Sequence, residues 1–191
     1  MSIFSRKTEQ SPEEIEAANL KSTYEWIQCF MAALIFCVFM FLFVVRVIDV
    51  VGTSMYPTLN NGDKMIVSGL FYKPKNGDVV VFKKDEYDPN KALVKRIIAT
   101  EGQEINMDLE KGIVYVDGEA IEEDYIAELT YNKLDFIGPK TVPEGCVFVM
   151  GDNRNMSTDS RKTEIGMVDE RLILGKVYFV LFPTSDMGPV N

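Results

Sequence analysis

The chain has no histidine among its 191 residues. That excludes a Ser-His-Asp triad, a Cys-His pair and every imidazole ligand for a metal. Cysteine is scarce too, with three residues and no CxxC pair, so a structural zinc site is excluded by its ligands. Cys29 and Cys37 stand eight residues apart, roughly 12 Å along a helix, too far to bridge each other. Cys146 is alone in the rest of the chain. Basic residues are outnumbered, 20 against 29 acidic, for a net charge of −9. Residues 1–45 hold three basic and five acidic residues, so −7 falls on the remainder. Nothing supplies the basic footprint that nucleic acid requires.

What the chain does have is one long apolar run. Ile27 to Val45 is 19 residues without a charge, and Gln28 is its one polar member. At about 1.5 Å per residue a helix of this length nearly crosses a hydrocarbon core of roughly 30 Å. A cleaved secretory leader fits poorly, because the run exceeds the usual apolar region, the preceding tail is acidic, and no small-x-small site follows. The run predicts an uncleaved anchor over 26–46, in contact with the lipid bilayer. It follows a tail over 1–25 whose Ser11-Pro12-Glu13-Glu14 reads as a helix start, with Ser11 and Glu14 as a capping box. Arg6, Lys7 and Lys21 before the run and Arg46 after it favour a cytoplasmic N-terminus, leaving 47–191 extracytoplasmic.

Beyond the anchor the pattern changes to short apolar runs between turn signals. Lys64–Val67, Asp78–Phe82, Leu93–Ala99, Ile113–Val116, Val147–Met150 and Lys176–Phe182 predict strands; Asn61-Gly62, Asn76-Gly77 and Asp117-Gly118 predict turns. The fold class expected is mainly β: an antiparallel sheet domain over 47–191, with the polar, turn-rich stretch 101–145 as a small inserted subdomain, preceded by one transmembrane helix.

Three segments could carry chemistry. Ser54 lies in Gly52-Thr53-Ser54-Met55-Tyr56-Pro57, nine positions past the apolar run. A serine beside glycine and proline is ordinarily a turn residue, and the GxSxG elbow is absent because Tyr56 takes the second glycine position. Lys95 lies in the strand Leu93–Ala99, where alternation places Leu93, Lys95, Ile97 and Ala99 on one face. A lysine there is ordinarily solvated at a sheet edge. Desolvated, it becomes a base, once its charged form is destabilised by roughly 4.6 kcal/mol to bring its pKa from about 10.4 to near 7. The third segment, Gly151-Asp152-Asn153-Arg154-Asn155-Met156-Ser157-Thr158-Asp159-Ser160-Arg161, is dense in short polar groups. It is no calcium loop, since Arg154 and Met156 stand where oxygen ligands are needed. Asn155-Met156-Ser157 also matches a glycosylation sequon.

In this order the segments resemble the bacterial type I signal peptidases. Four blocks carry the resemblance: Gly52–Leu59; Asn76–Phe82; Val94–Ile98 with Gly102; and Gly151–Arg154 continuing through Ser157, Asp159, Ser160 and Arg161. The single anchor and compact insertion are similar to the smaller Gram-positive form. The resemblance implies a Ser-Lys dyad, with Ser54 as nucleophile and neutral Lys95 as base. It implies that Ser157 orients the Lys95 amine, that Asp159 pairs with Arg161, and that Asp152 and Asn153 shape the same wall. The Ser54 backbone N–H would be one oxyanion donor. Gly52 departs from members that carry a hydroxyl there as a second donor. The implied substrates are signal peptides of secreted preproteins with small residues at −1 and −3, selected by shallow pockets for which Met55, Leu93 and Val94 are the expected lining. No cofactor, metal or nucleic acid is expected. The alternatives are a self-cleaving repressor-type peptidase, a processing peptidase of narrow substrate range, and a non-enzymatic anchored binding module.

Overall fold

The computed structural model describes residues 12–43 and 46–190. Ser11 and its capping role lie outside them. The chain forms two compact units, 1–43 and 44–191. The described part of the first unit is one helix, α1, Pro12–Phe43, of 32 residues. Its stretch Asn19–Met40 is 22 residues long and unburied, long and apolar enough to cross a membrane. Trp26, Phe30, Ile35, Phe36 and Phe39 are all exposed on it. None of its most apolar window is buried, which is the opposite of a core helix.

The second unit is built from antiparallel sheets. Its strands are β1 (Arg46–Asp49), β2 (Lys64–Ser68), β3 (Val79–Lys83), β4 (Ala92–Thr100), β5 (Glu104–Asp108), β6 (Ile113–Val116), β7 (Glu119–Ala120), β8 (Lys140–Thr141), β9 (Cys146–Met150), β10 (Val168–Asp169), β11 (Ile173–Phe182) and β12 (Gly188–Pro189). The main sheet runs β1-β2-β11-β3-β4-β9-β10, with β12 on β11. A second sheet, β7-β6-β5-β8, comes entirely from the insertion. The six apolar runs seen in the sequence all lie in strands. β1 is a finding: Arg46, read as the end of the anchor, already pairs with Val67.

β3 is buried at four of its five positions and β9 at four of five, so they read as continuous apolar runs covered on both faces. Packing forms three apolar clusters. One gathers Met55, Leu59, Met65, Val67, Val79 and Val177 under the turn that carries Ser54. A second joins Phe136 and Ile105 of the insertion to Phe148, with the two phenylalanine rings edge to face at 5.8 Å. The third holds Val80, Phe82, Ile97 and Ile165.

One expectation is corrected in β4. The pairing with β9 shifts register between Ile97 and Ala99. This bulge breaks the two-residue alternation. Ile97 packs with Leu93 in the third cluster, whereas Ala99 joins Ile98 in the second.

Candidate active site

The chain from Thr53 to Leu59 is a compact turn. Tyr56 N donates to Thr53 O and Leu59 N to Met55 O. Gly52 enters it at φ +100, a backbone region open to glycine. Met55 and Leu59 are sunk in the core, so the turn is held from below and Ser54 faces the cleft above.

Two neighbours on β4 grip this turn. Lys95 Nζ lies 2.6 Å from Ser54 Oγ and 2.8 Å from its neighbour Val94 O. With the amine charged, both are N–H donations; once neutral, the nitrogen lone pair faces the Ser54 hydroxyl and can take its proton. Lys95 is 3 % exposed, and burial lowers its pKa to about 8. Asp159 and Asp152 oppose that shift from a distance and Arg161 adds to it. The next residue, Arg96, faces the other way. It forms a fork on Asp152, with Nε to Oδ1 at 2.9 Å and Nη2 to Oδ2 at 2.8 Å, and its Nη2 reaches Thr58 Oγ1 at 3.3 Å. Thr58 in turn donates to Asp152 Oδ2 at 2.5 Å.

The 151–161 loop closes over the same turn. Asn153 N donates to Ser54 O and its side-chain amide to Thr53 O, both at 3.1 Å. Gly151 permits this approach, because a Cβ there would stand 2.4 Å from Ser54 O and 2.2 Å from Ser157 Oγ. Asp159 and Arg161 form a fully buried fork, with both contacts at 2.8 Å; Asp159 Oδ2 also accepts from Gly151 N at 3.0 Å.

A serine with its hydroxyl on a buried lysine, in a chain without histidine, has the geometry of a Ser-Lys dyad. A family model described as "Signal peptidase, peptidase S26" matches residues 23–182. The chain belongs to this family. A probable signal peptidase I-1 of Synechocystis is 38 % identical over 176 residues, covering 87 % of this chain and 86 % of its own length. Signal peptidase I of Bacillus licheniformis is 35 % identical over 190 residues, covering 92 % of this chain and 97 % of its own. A crystal structure of a signal peptidase I from Enterococcus faecalis aligns with 58 % of this chain and 98 % of its own, at 29 % identity and a TM-score of 0.43.

Several residues are placed otherwise than the resemblance implies. Ser157 is 5 % exposed, but its hydroxyl makes no hydrogen bond and so does not hold the Lys95 amine in this state. The amine is taken up by Ser54 and Val94, and Ser157 Oγ packs against Gly151. Asp152 binds Arg96 and Thr58 and Asn153 binds the Ser54 turn. Met55 is 1 % exposed and serves the core as much as the cleft, whereas Leu93 and Val94 are half-buried on its wall. This cleft, about 390 Å³, is also lined by Ile48, Val51 and Lys91. Gly52 N donates to Asn61 Oδ1 at 2.8 Å, so that N–H is already engaged and is no spare oxyanion donor. Among the described residues no cluster of Cys, Asp or Glu could hold a metal ion.

Sequence reasoning missed the share taken by the insertion. Tyr125 lays its ring under Arg96, 3.9 Å from the guanidinium carbon. Glu123 pairs with buried Arg154 at 2.5 Å, and Thr130 accepts from the same arginine at 3.0 Å. Asn155, part of the sequon, caps Tyr131 N and Asn132 N with its side-chain oxygen. Arg161 Nη1 donates to Asn132 O at 2.7 Å. The signal that could have revealed part of this is Arg96, which lies inside the apolar strand Leu93–Ala99: a buried guanidinium demands partners.

Proposed function

We propose that the chain is a membrane-tethered serine endopeptidase that removes signal peptides from secreted preproteins by a Ser-Lys dyad. The observation that carries this reading is the 2.6 Å contact between Ser54 Oγ and the buried Lys95 amine. Neutral Lys95 takes the Ser54 proton as Oγ attacks the scissile carbonyl; the resulting ammonium gives that proton to the leaving amine as the C–N bond breaks, so the acyl-enzyme forms with Lys95 neutral again. The same amine then accepts a proton from the water that hydrolyses the ester. The Ser54 backbone N–H, held in its turn by Asn153 on Ser54 O, is aimed to stabilise the oxyanion. Leu93, Val94 and Met55 line the cleft beside Ser54 and are its apolar wall for the small side chains at −1 and −3 of the cut. The residues of the 151–161 loop act at one remove: Asn153 positions the nucleophile turn, while the Asp152–Arg96 and Asp159–Arg161 pairs hold the loop against it. An anchor within Asn19–Met40, an N-terminus in the cytoplasm and a peptidase domain outside it would put that domain on the side to which preproteins are exported.

The test is cleavage of a preprotein carrying Ala-x-Ala by the detergent-solubilised full chain, beside Ser54→Ala and Lys95→Met, with circular dichroism confirming that both fold. Cleavage at that site by the wild type alone is the expected result. Cleavage surviving either substitution would remove the dyad, and none by a folded wild type would remove the substrate assignment.

A further inference from the structure

Nucleophile and base sit on different elements, and the bond that joins them, Lys95 Nζ to Ser54 Oγ at 2.6 Å, is consumed by the reaction. Once Oγ is the ester oxygen of an acyl-enzyme it has no proton to give, and the amine must serve water. A contact that the chemistry breaks does not keep turn and strand in place for the second half of the cycle. The apolar floor of the turn, where Met55 and Leu59 share a cluster with Val79 and Val94, sets its depth but is non-directional. The two bonds from Asn153 fix the turn to the 151–161 loop, not to β4.

Thr58 supplies a second link. Its hydroxyl donates to Asp152 Oδ2 at 2.5 Å and accepts from Arg96 Nη2 at 3.3 Å. Arg96 follows Lys95 on β4, so the two side chains leave the strand on opposite faces. Ser54 and Thr58, four residues apart on one turn, thus meet adjacent residues of one strand. Register brings in the third partner. Arg96 pairs with Met150, the last residue of β9, and Asp152 follows two positions on, where it takes the guanidinium in a two-pronged contact. Both partners are rigidly seated. Arg96 is 1 % exposed and Asp152 0 %, Arg96 Nη1 also donates to Gly77 O at 2.7 Å, and the Tyr125 ring lies under the guanidinium. Thr58 itself is half-buried, and its branched Cβ restricts the rotamer that aims the hydroxyl. A hydroxyl held between a carboxylate and a guanidinium is a charge-assisted link. It takes no part in proton transfer, so it outlasts acylation.

We propose that Thr58 is a positioning residue of the dyad: through Asp152 and Arg96 it clamps the nucleophile turn to β4, and so holds Ser54 Oγ in place relative to Lys95 through both halves of the reaction. It touches neither substrate nor reacting atoms. The inference rests on the Ser-Lys peptidase reading of this site. Without the hydroxyl the turn keeps its apolar floor and Asn153, but its distance from the strand is set by the dyad contact alone. Misplacing a reacting group by an ångström costs about 100-fold in rate. The loss should fall on kcat, because neither Thr58 nor Asp152 lines the cleft that would hold the peptide.

The test uses the detergent-solubilised full chain and three variants. Thr58→Val keeps the shape and removes the hydroxyl, Thr58→Ser keeps the hydroxyl, and Thr58→Cys offers a thiol, a weak donor. On the Ala-x-Ala preprotein, Thr58→Val should lower kcat about 30-fold or more and leave KM within about twofold. Thr58→Ser should keep kcat within about threefold of the wild type, and Thr58→Cys should fall between the two. If Thr58→Val does not fold, the ranking of Thr58→Cys below Thr58→Ser decides. A second readout needs no substrate: the Lys95 amine titrated by NMR in the folded variants. A turn that slips from the strand admits water to the amine, so the midpoint should rise in Thr58→Val and return in Thr58→Ser. A Thr58→Val that melts earlier yet keeps the wild-type kcat overturns the clamp and leaves the dyad standing. So does an unmoved Lys95 midpoint, or a Thr58→Ser as slow as Thr58→Val. A wild type that fails to cleave, with the midpoint still raised in Thr58→Val, would remove the substrate assignment and support the clamp.

Discussion

Lys95 and Arg96 are neighbours on one strand, both buried, and their surroundings are opposite. Arg96 meets a carboxylate in a two-pronged contact and an aromatic face besides. Arg154 and Arg161 are treated the same way, by Glu123 and Asp159. Lys95 meets a hydroxyl and a carbonyl. Burying a charge is tolerable when a counter-charge and hydrogen bonds replace water; without them the group gives up its charge. The arginines cannot do so and are paired, while the lysine can and is left unpaired. One side of β4 is therefore a permanently ionised brace, and the other a site prepared to hold a neutral amine.

Removing the two sides should have contrary effects on activity and stability. Ser54→Ala and Lys95→Met should each lower cleavage about a thousandfold or more, since nucleophile and base act as a unit. Lys95→Arg should do no better, as a guanidinium stays protonated; initial rates on the Ala-x-Ala preprotein measure all three.

Arg96→Met should destabilise the domain by about 3–5 kcal/mol, because it strands the fully buried Asp152 carboxylate. Lys95→Met should do the reverse. A pKa lowered from 10.5 to about 8 corresponds to about 3 kcal/mol withheld from the folded state at pH 7, which an apolar side chain restores. Denaturant melts of the two variants at pH 7 should move in opposite directions.

The wild type carries the same contrast in its pH dependence. The folded pKa of Lys95 is below its unfolded value, so between pH 8 and 10.5 the unfolded chain binds the additional proton. The Lys95 contribution makes stability rise with pH across that window, and it vanishes in Lys95→Met. Cleavage should rise with pH up to about 8 and level off above it. A rate flat from pH 6 to pH 10, with chemistry limiting, would contradict the lysine base.

The smallest change expected is for Tyr125→Leu. Removing the ring beneath Arg96 should cost about 1 kcal/mol and leave the pH profile in place, because the Asp152 fork remains.

How much of this was legible in the chain differs between the same two sides. Ser54 and Lys95 could be reached from the missing histidine, the strand pattern and the four blocks, because short motifs and alternation are local properties. The six strands were legible for the same reason. β1 was not, since Arg46 follows the apolar run so closely that it reads as the run's border. Ala99 was misplaced because a bulge leaves no mark on alternation. The brace was the least legible part. Tyr125 lies 29 positions from Arg96, and Glu123 lies 31 from Arg154, so only the folded insertion brings them together. The unbonded hydroxyl of Ser157 likewise depends on where Lys95 turns its amine, which no motif states.

The most direct test of the contrast is the titration of Lys95 itself in the folded full chain. It would be followed by NMR on lysine labelled at the terminal amine, with the signal assigned by its loss in Lys95→Met. A midpoint near 8 is the result expected. A midpoint at or above 10.5, the value of an ordinary lysine, would show an amine that stays charged, and Lys95 could not then be the base.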